Sequence, residues 1–281
     1  MAFLFYFDNM NYVLVNGKCI EKEKARLAPD DHSYRYGDGL FETIKFVNGK
    51  ILYKEYHFER LFSGVKILKF SMPKLFEQNI EAEIRDLCAK NKCEKLARVR
   101  LSVSRGSGGL YDCDNKFSYL IECWPLEQKK LNENGLVIDI YPDARKSIDR
   151  FSNLKSANYL PYVMAAVWAK ENKLNDALIV NSNERICDAT IANVFCVKND
   201  KIFTIPLEEG CVDGVMRRNL LDIDKTIAQQ QLTEHILLDA DEVFLTNVIT
   251  GIRWVGQFRN KKYTNKIAGN LFAEIARTIN S

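Results

Sequence analysis

Two residues in this chain have the type and setting for covalent cofactor chemistry. Lys155 sits in the polar segment Ser152-Asn153-Leu154-Lys155-Ser156-Ala157-Asn158-Tyr159. A helical pattern follows it, with Val163, Ala166, Val167 and Lys170 at three- and four-residue steps. A short apolar strand, Ala177 to Val180, and a turn of Asn181, Ser182 and Asn183 come next. Asp188 then opens the run Asp188-Ala189-Thr190-Ile191-Ala192-Asn193-Val194-Phe195. A lysine ahead of a helix and a carboxylate entering a strand suit a Schiff-base amine and an acid that hold two ends of one cofactor.

Four further stretches carry possible chemistry. In Tyr56-His57-Phe58-Glu59-Arg60-Leu61, Arg60 lies off the apolar stripe, so the pattern alone makes it solvent-facing. In Cys211-Val212-Asp213-Gly214-Val215-Met216-Arg217-Arg218, Asp213 reads as an N-cap and Gly214 as a point of close backbone approach. The N–H groups of such a helix start attract anions whatever its side chains are. Glu242 to Ile252 reads as a strand running into a polar loop, which puts Asn247 to Gly251 at a sheet rim. Glycines surround Arg105 in Val103-Ser104-Arg105-Gly106-Ser107-Gly108-Gly109-Leu110-Tyr111, a loop whose arginine can bind a carboxylate.

Taken in order, these residues resemble the class IV (fold-type IV) pyridoxal-phosphate enzymes. That family includes branched-chain aminotransferases, D-amino-acid aminotransferases and aminodeoxychorismate lyases. Lys155-Ser156-Ala157-Asn158-Tyr159 matches the family's lysine context, and Asp188, Thr190, Asn193, Val194 and Phe195 fill its later acid-to-Phe stretch. The family acid is normally Glu, and Asp188 is one methylene shorter.

The resemblance implies pyridoxal 5'-phosphate as cofactor and Lys155 as the catalytic residue. It implies cofactor contacts from Arg60 (in His57-Phe58-Glu59-Arg60-Leu61), Tyr159, Asp188, Asn193, the backbone amides of Val215 and Met216, Asn247 and Val248. Asp188 is the candidate partner of the pyridine nitrogen. Val248 stands where branched-chain aminotransferases carry a phosphate-binding threonine. Tyr36, Arg105 and Ile249 are the implied substrate contacts.

Ser104-Arg105-Gly106-Ser107-Gly108-Gly109 and the Asn247 loop resemble aminodeoxychorismate lyases, which release pyruvate and leave p-aminobenzoate, a folate precursor. The shared core and Phe41-Glu42-Thr43 support the alternative, a branched-chain aminotransferase with amino transfer to 2-oxoglutarate. A non-catalytic scaffold is the third reading, and the retained Lys155 argues against it. The implied assembly is a homodimer acting on a small amino substrate.

The elements that must position these residues follow from the chain as a whole. Its 281 residues predict about two domains, and a hydrophobic fraction of 47% allows a proper core. A net charge of +3, spread without a basic block, gives no argument for nucleic acid. Eight cysteines form no Cys-x-x-Cys pair and only His32, His57 and His235 accompany them, so reduced thiols in a cytoplasmic protein are expected, with no metal. Met1 to Asp8 is apolar yet too short for a membrane span and lacks a signal-peptide pattern; an ordered leading segment is expected.

Hairpins are expected at Tyr12 to Ile20 around Asn16-Gly17 and over Asp38 to Tyr53 around Asn48-Gly49, the latter entered through Tyr36-Gly37. Helices are expected over Glu55 to Phe70 and Leu75 to Lys90, and strands over Leu96 to Ser104 and Phe117 to Cys123. Later strands are expected at Leu136 to Tyr141, Val194 to Lys198, Ile202 to Thr204 and Glu242 to Thr246, with a closing helix from Lys266 to Ile279. This predicts a mixed α+β and α/β chain in two domains: a smaller N-terminal α+β domain over 1–123, a linker over 124–134, and a larger cofactor-binding domain over 135–281. By the family resemblance, that larger domain contains a barrel-like sheet.

Overall fold

The computed structural model describes residues 10–127 and 130–280, so the expected leading segment, Met1 to Asp8, lies outside the described residues. The chain divides into two compact units, Met1–Gln128 with Lys155–Asn158, and Lys129–Leu154 with Tyr159–Ser281.

The first unit starts with a hairpin, β1 (Tyr12–Val15) and β2 (Lys18–Glu21). Its turn, Asn16-Gly17, takes φ of 48° and 80°, a left-handed pair that asparagine and glycine tolerate best. Helix α1 (His32–Tyr36) follows; Asp31 caps its start, and Gly37 closes it at φ 68°. Tyr36 therefore ends a helix, where the sequence suggested entry to a strand, because the cap and the left-handed glycine enclose one helical turn.

Next come β3 (Gly39–Val47), β4 (Lys50–Ile51), α2 (Lys54–Ile67), α3 (Lys74–Lys90), β5 (Leu96–Ser104) and β6 (Ser118–Pro125). The six strands form one antiparallel sheet in the order β2-β1-β6-β5-β3-β4. Alternation buries Ile44, Phe46, Leu101 and Ile121, and α3 contributes Phe76, Ile80, Ile84 and Leu87 to the core. The Lys155–Asn158 strap lies along the start of β3, with Phe41 N donating to Lys155 O (2.9 Å) and Ala157 N to Gly39 O (2.8 Å).

The second unit contains β7 (Leu136–Lys146), α4 (Leu160–Glu171), β8 (Asp176–Asn181), β9 (Ile186–Ala189), β10 (Asn193–Lys198) and β11 (Lys201–Thr204). It continues through α5 (Val215–Ile223), β12 (Ala228–Gln229), α6 (Glu234–Asp239), β13 (Glu242–Asn247), β14 (Gly251–Phe258), β15 (Lys261–Lys262) and α7 (Lys266–Asn280). Its strands run β12-β11-β10-β13-β14-β7-β8-β9, with β15 on β14, in a sheet that curls as a half-barrel. β8 is buried along its whole length, as a strand covered on both faces must be.

Strand β7 runs five residues beyond the expected Tyr141, through Pro142, because its parallel pairing with β8 slips register between Ile140 and Arg145 and then resumes. The buried face of α4 is Tyr162, Ala165 and Ala169, while Val163 and Val167 are exposed; the apolar steps read from the sequence pick out the outer face. Among the described residues no helix is long and apolar enough to cross a membrane.

Candidate active site

In the first unit the chemistry gathers around Glu42. It shares the buried face of β3 with Leu40, Ile44 and Phe46, where a carboxylate is costly unless paired. Arg60, from α2, supplies the pair: its Nε donates to Oε1 at 2.8 Å and its Nη2 to Oε2 at 2.5 Å. His57, one turn earlier and fully buried, lies 2.6 Å from Glu42 Oε2 through Nδ1. Burial alone would raise the Glu42 pKa, but Arg60 and His57 outweigh it and hold the carboxyl at about 2. Burial is also the main force lowering the His57 pKa, opposed by Glu42 and reinforced by Arg60 and Lys155. Lys155 itself sits over the ring of the neighbouring Phe41, its Nζ 4.4 Å from the centroid.

Arg105 is committed to its own unit. Its guanidinium meets Asp38 Oδ2 (2.6 Å) and Oδ1 (3.2 Å) and donates to Leu68 O (3.0 Å). Asp38 also lies 3.1 Å from His32 Nδ1, and Tyr36, half exposed, packs edge-on against the His32 ring. The glycine loop is thereby tied to α1, with Ser104 Oγ donating to Asp31 Oδ2 (2.6 Å) and Gly108 N to Asp30 O (3.1 Å).

In the second unit the focus is Asp188, only 2% exposed. Oδ2 receives Lys146 Nζ and Tyr162 OH, each at 2.8 Å, and Val212 N lies 3.1 Å from Oδ1. Asn193 Nδ2 reaches Oδ1 at 3.4 Å and Val212 O at 2.8 Å. Tyr162 has its pKa raised well above normal, by burial first and by Asp188 second. Tyr159 stacks on Tyr162 with centroids 4.3 Å apart and donates to Thr190 O at 2.9 Å. Thr190 turns its hydroxyl to Asp176 Oδ1 (2.6 Å). Glu184, the carboxylate nearest to Asp188 in sequence, is exposed and paired with Arg145.

Val215 and Met216 begin α5 fully buried, and the N-cap position, Gly214, provides no side-chain cap. A Cβ on Gly214 would stand 1.8 Å from the side-chain Oδ1 of Asn193, so the Asn193 carboxamide keeps its place only against a bare glycine. Asn247 Oδ1 accepts from Ile249 N (3.0 Å) and Thr250 N (2.8 Å), folding the loop that carries the buried Val248. The neighbouring Thr246 Oγ1 is buried without a hydrogen-bond partner.

These residues fit pyridoxal 5'-phosphate. A buried helix start lacking a side-chain cap suits an anion such as a phosphate. The buried Asp188 carboxylate, met by Lys146 and Tyr162, suits a partner for a ring nitrogen. Sequence reasoning missed Lys146, Tyr162 and the pairing role of Glu42. Of these, Glu42 gave a signal, a charge on an otherwise apolar strand face.

The sheet orders and the half-barrel define the fold as that of the fold-type IV aminotransferases. A solved structure of the Escherichia coli branched-chain amino acid aminotransferase superposes with a TM-score of 0.85 over 95% of this chain and 93% of that one, at 20% identity. The model of the amino-transferase class IV family matches residues 39–258, and the chain belongs to that family. It is a pyridoxal-phosphate-dependent enzyme of the aminotransferase and lyase group. Among curated relatives, an aminodeoxychorismate lyase of Bacillus subtilis is 28% identical, covering 85% of this chain and 84% of its own. A Methanocaldococcus jannaschii protein, provisionally named a branched-chain-amino-acid aminotransferase, is also 28% identical and covers 92% of both chains.

Proposed function

We propose that the enzyme is a 4-amino-4-deoxychorismate lyase, eliminating pyruvate and leaving p-aminobenzoate. The observation that carries this reading is the loop Ser104 to Gly109, whose sequence resembles that of the lyases. Its backbone tolerates no substitute at the key places. Gly106 sits at φ 102°, where a Cβ would come within 2.1 Å of Lys116 O, and Gly108 sits at φ 137°. A loop so constrained and so tied to α1 is a built feature of this chain. The second reading, a branched-chain aminotransferase, draws support from the equally similar Methanocaldococcus jannaschii relative and from Phe41-Glu42-Thr43.

Pyridoxal 5'-phosphate, when bound, supplies an aldehyde for amino groups and an electron sink for charge left at the substrate α-carbon. In the first unit Lys155 would hold the aldehyde, and its freed, uncharged amine removes the α-proton as general base. Arg60 is assigned to the phosphate, with Glu42 fixing the plane of its guanidinium. Tyr36 and Arg105 are assigned to the substrate.

In the second unit Asp188 would hold the ring nitrogen, its carboxylate fixed by Lys146 and Tyr162. The amides of Val215 and Met216 are assigned to the phosphate. Tyr159, Asn193, Asn247 and Val248 line the cofactor, and Ile249 faces substrate. With the α-proton held by the Lys155 amine, loss of a substrate β-substituent would give the lyase reaction, and return of that proton by Lys155 would give the aminotransferase reaction.

The assembly we assign is a homodimer, and an exposed apolar row on α4 supports it: Leu160 is 66% and Val163 50% exposed. The deciding assay supplies the purified enzyme with 4-amino-4-deoxychorismate, and separately with leucine plus 2-oxoglutarate. The lyase reading expects p-aminobenzoate and pyruvate in equal amounts from the first. Glutamate formed from the second, with no p-aminobenzoate from the first, would replace it by the transaminase reading.

A further inference from the structure

Away from the residues assigned to the cofactor, the first unit brings three sulfurs together. The Sγ atoms of Cys88, Cys93 and Cys123 all lie within 4.8 Å of one another, and those of Cys93 and Cys123 are 3.7 Å apart. All three side chains are buried. Cys88 comes from the last turn of α3, Cys93 from the turn that follows, and Cys123 from β6. Local spacing gave no metal motif because the third sulfur is delivered by β6, thirty residues beyond Cys93.

We propose that Cys88, Cys93 and Cys123 form a binding site for one soft, monovalent metal ion of the copper(I) class, in three-coordinate sulfur ligation. Thiolate sulfur selects soft ions. Zinc demands a fourth ligand, and among the described residues no histidine, carboxylate or further cysteine joins the three. Three sulfurs in a plane, each about 2.3 Å from a central ion, stand about 4 Å apart. The observed spacing needs little adjustment to reach that.

The surroundings suit a cation. The carbonyls of Leu87 and Cys88 close the C-terminal end of α3, the negative end of its dipole, and accept from Cys123 Sγ (3.6 Å) and Cys93 Sγ (3.5 Å). Asn91 Nδ2 donates to Cys123 Sγ at 3.2 Å, a bond that steadies a thiolate. Asn91 also lines a surface cleft with Asn11, Tyr12, Lys90 and Lys92, which gives an entry route and two lysines beside it. On binding, two thiols release their protons to solvent as two metal–sulfur bonds form, and the third donates a lone pair with its proton kept. The site then carries a single net negative charge, and no electrons are transferred.

The test uses the full chain loaded with pyridoxal 5'-phosphate, in a Cys19→Ser/Cys113→Ser background that removes the two thiols that are not buried. Under anaerobic conditions, copper(I) supplied as its acetonitrile complex is titrated against a colorimetric copper(I) chelator. One equivalent per chain should be withheld from the chelator. Cys93→Ser and Cys123→Ala should each weaken retention at least about 100-fold. X-ray absorption on the loaded parent should find sulfur ligation with a coordination number of three, a measurement that stands even where a variant fails to fold. Three results would each overturn the proposal: no retained equivalent, retention undiminished in both variants, or zinc(II) held in preference with four ligands.

Discussion

Lys146 Nζ stands 2.8 Å from Asp188 Oδ2, in a pair that is almost wholly withdrawn from solvent. Asp188 is one methylene shorter than the glutamate usual in this family, so its carboxylate stays close to its own strand. Lys146 and Tyr162 both meet it there. Lys146 reaches this position only because β7 resumes pairing with β8 after its register slip, opposite Asn181.

That pairing bears directly on the assignment of Asp188 to the ring nitrogen. Asp188→Asn should leave the protein able to bind pyridoxal 5'-phosphate but slow turnover by at least about 100-fold, through loss of a charge aimed at the transition state. The change should fall on kcat, with KM little altered. Lys146→Met, by leaving Asp188 buried without its cation, should cost about 3 kcal/mol of stability in urea denaturation. Near-parental kcat in Asp188→Asn would assign the ring nitrogen to another group.

Arg60 is paired with Glu42 and is also the residue we assign to the cofactor phosphate. Arg60→Ala should loosen pyridoxal 5'-phosphate by about 30- to 150-fold, equivalent to about 2–3 kcal/mol, and lose colour on dialysis. The same change strips Glu42 of its main charge partner, so the folded state should weaken as well. Glu42→Gln keeps the guanidinium charge and tests orientation alone; a smaller loss of cofactor affinity than in Arg60→Ala is expected. Unchanged cofactor retention in Arg60→Ala would confine Arg60 to holding Glu42.

Acid should expose the same cluster. Glu42 is at about 2 in the folded state against an ordinary 4.5, so the unfolded chain binds the proton more readily. Its contribution, about 3 kcal/mol, is fully present above pH 4.5 and is lost as the pH falls toward 2. His57 acts in the same direction at higher pH: burial depresses its pKa below 6.5, so protonating the unfolded chain costs stability from there downward. Urea midpoints followed from pH 7 to pH 3 should therefore fall, and Glu42→Gln should flatten the part below pH 4.5. An equally steep fall in Glu42→Gln would place the acid sensitivity elsewhere.

Much of this was legible in the sequence, and the omissions have physical causes. The turn pairs Asn16-Gly17 and Asn48-Gly49 gave both hairpins because their backbone angles favour those residues. Strand β5 matched its apolar alternation from Leu96 to Ser104. Helix α1 was missed because a single turn has no periodicity, and its signal lay in the Asp31 cap and Gly37 alone. Strand β14 was missed because only Ile252, Val255 and Phe258 are buried on it, a three-residue spacing that no two-residue alternation shows. On α4 the exposed Val163 and Val167 drew the reading away from Tyr162, which the structure buries against Asp188. Lys146 had no local signal at all, since a parallel register shift brings it to its partner.

The most direct test of the account is where the cofactor attaches. Lys155 lies on a strap held to β3 by paired backbone hydrogen bonds, which fixes its amine beside Phe41. The purified protein should be yellow, and borohydride reduction followed by peptide mapping should place the pyridoxyl group on the peptide containing Lys155. Lys155→Ala should fold, with an unchanged far-UV circular dichroism spectrum, and show no turnover. A pyridoxyl label on any other lysine, or measurable turnover in Lys155→Ala, would contradict the account.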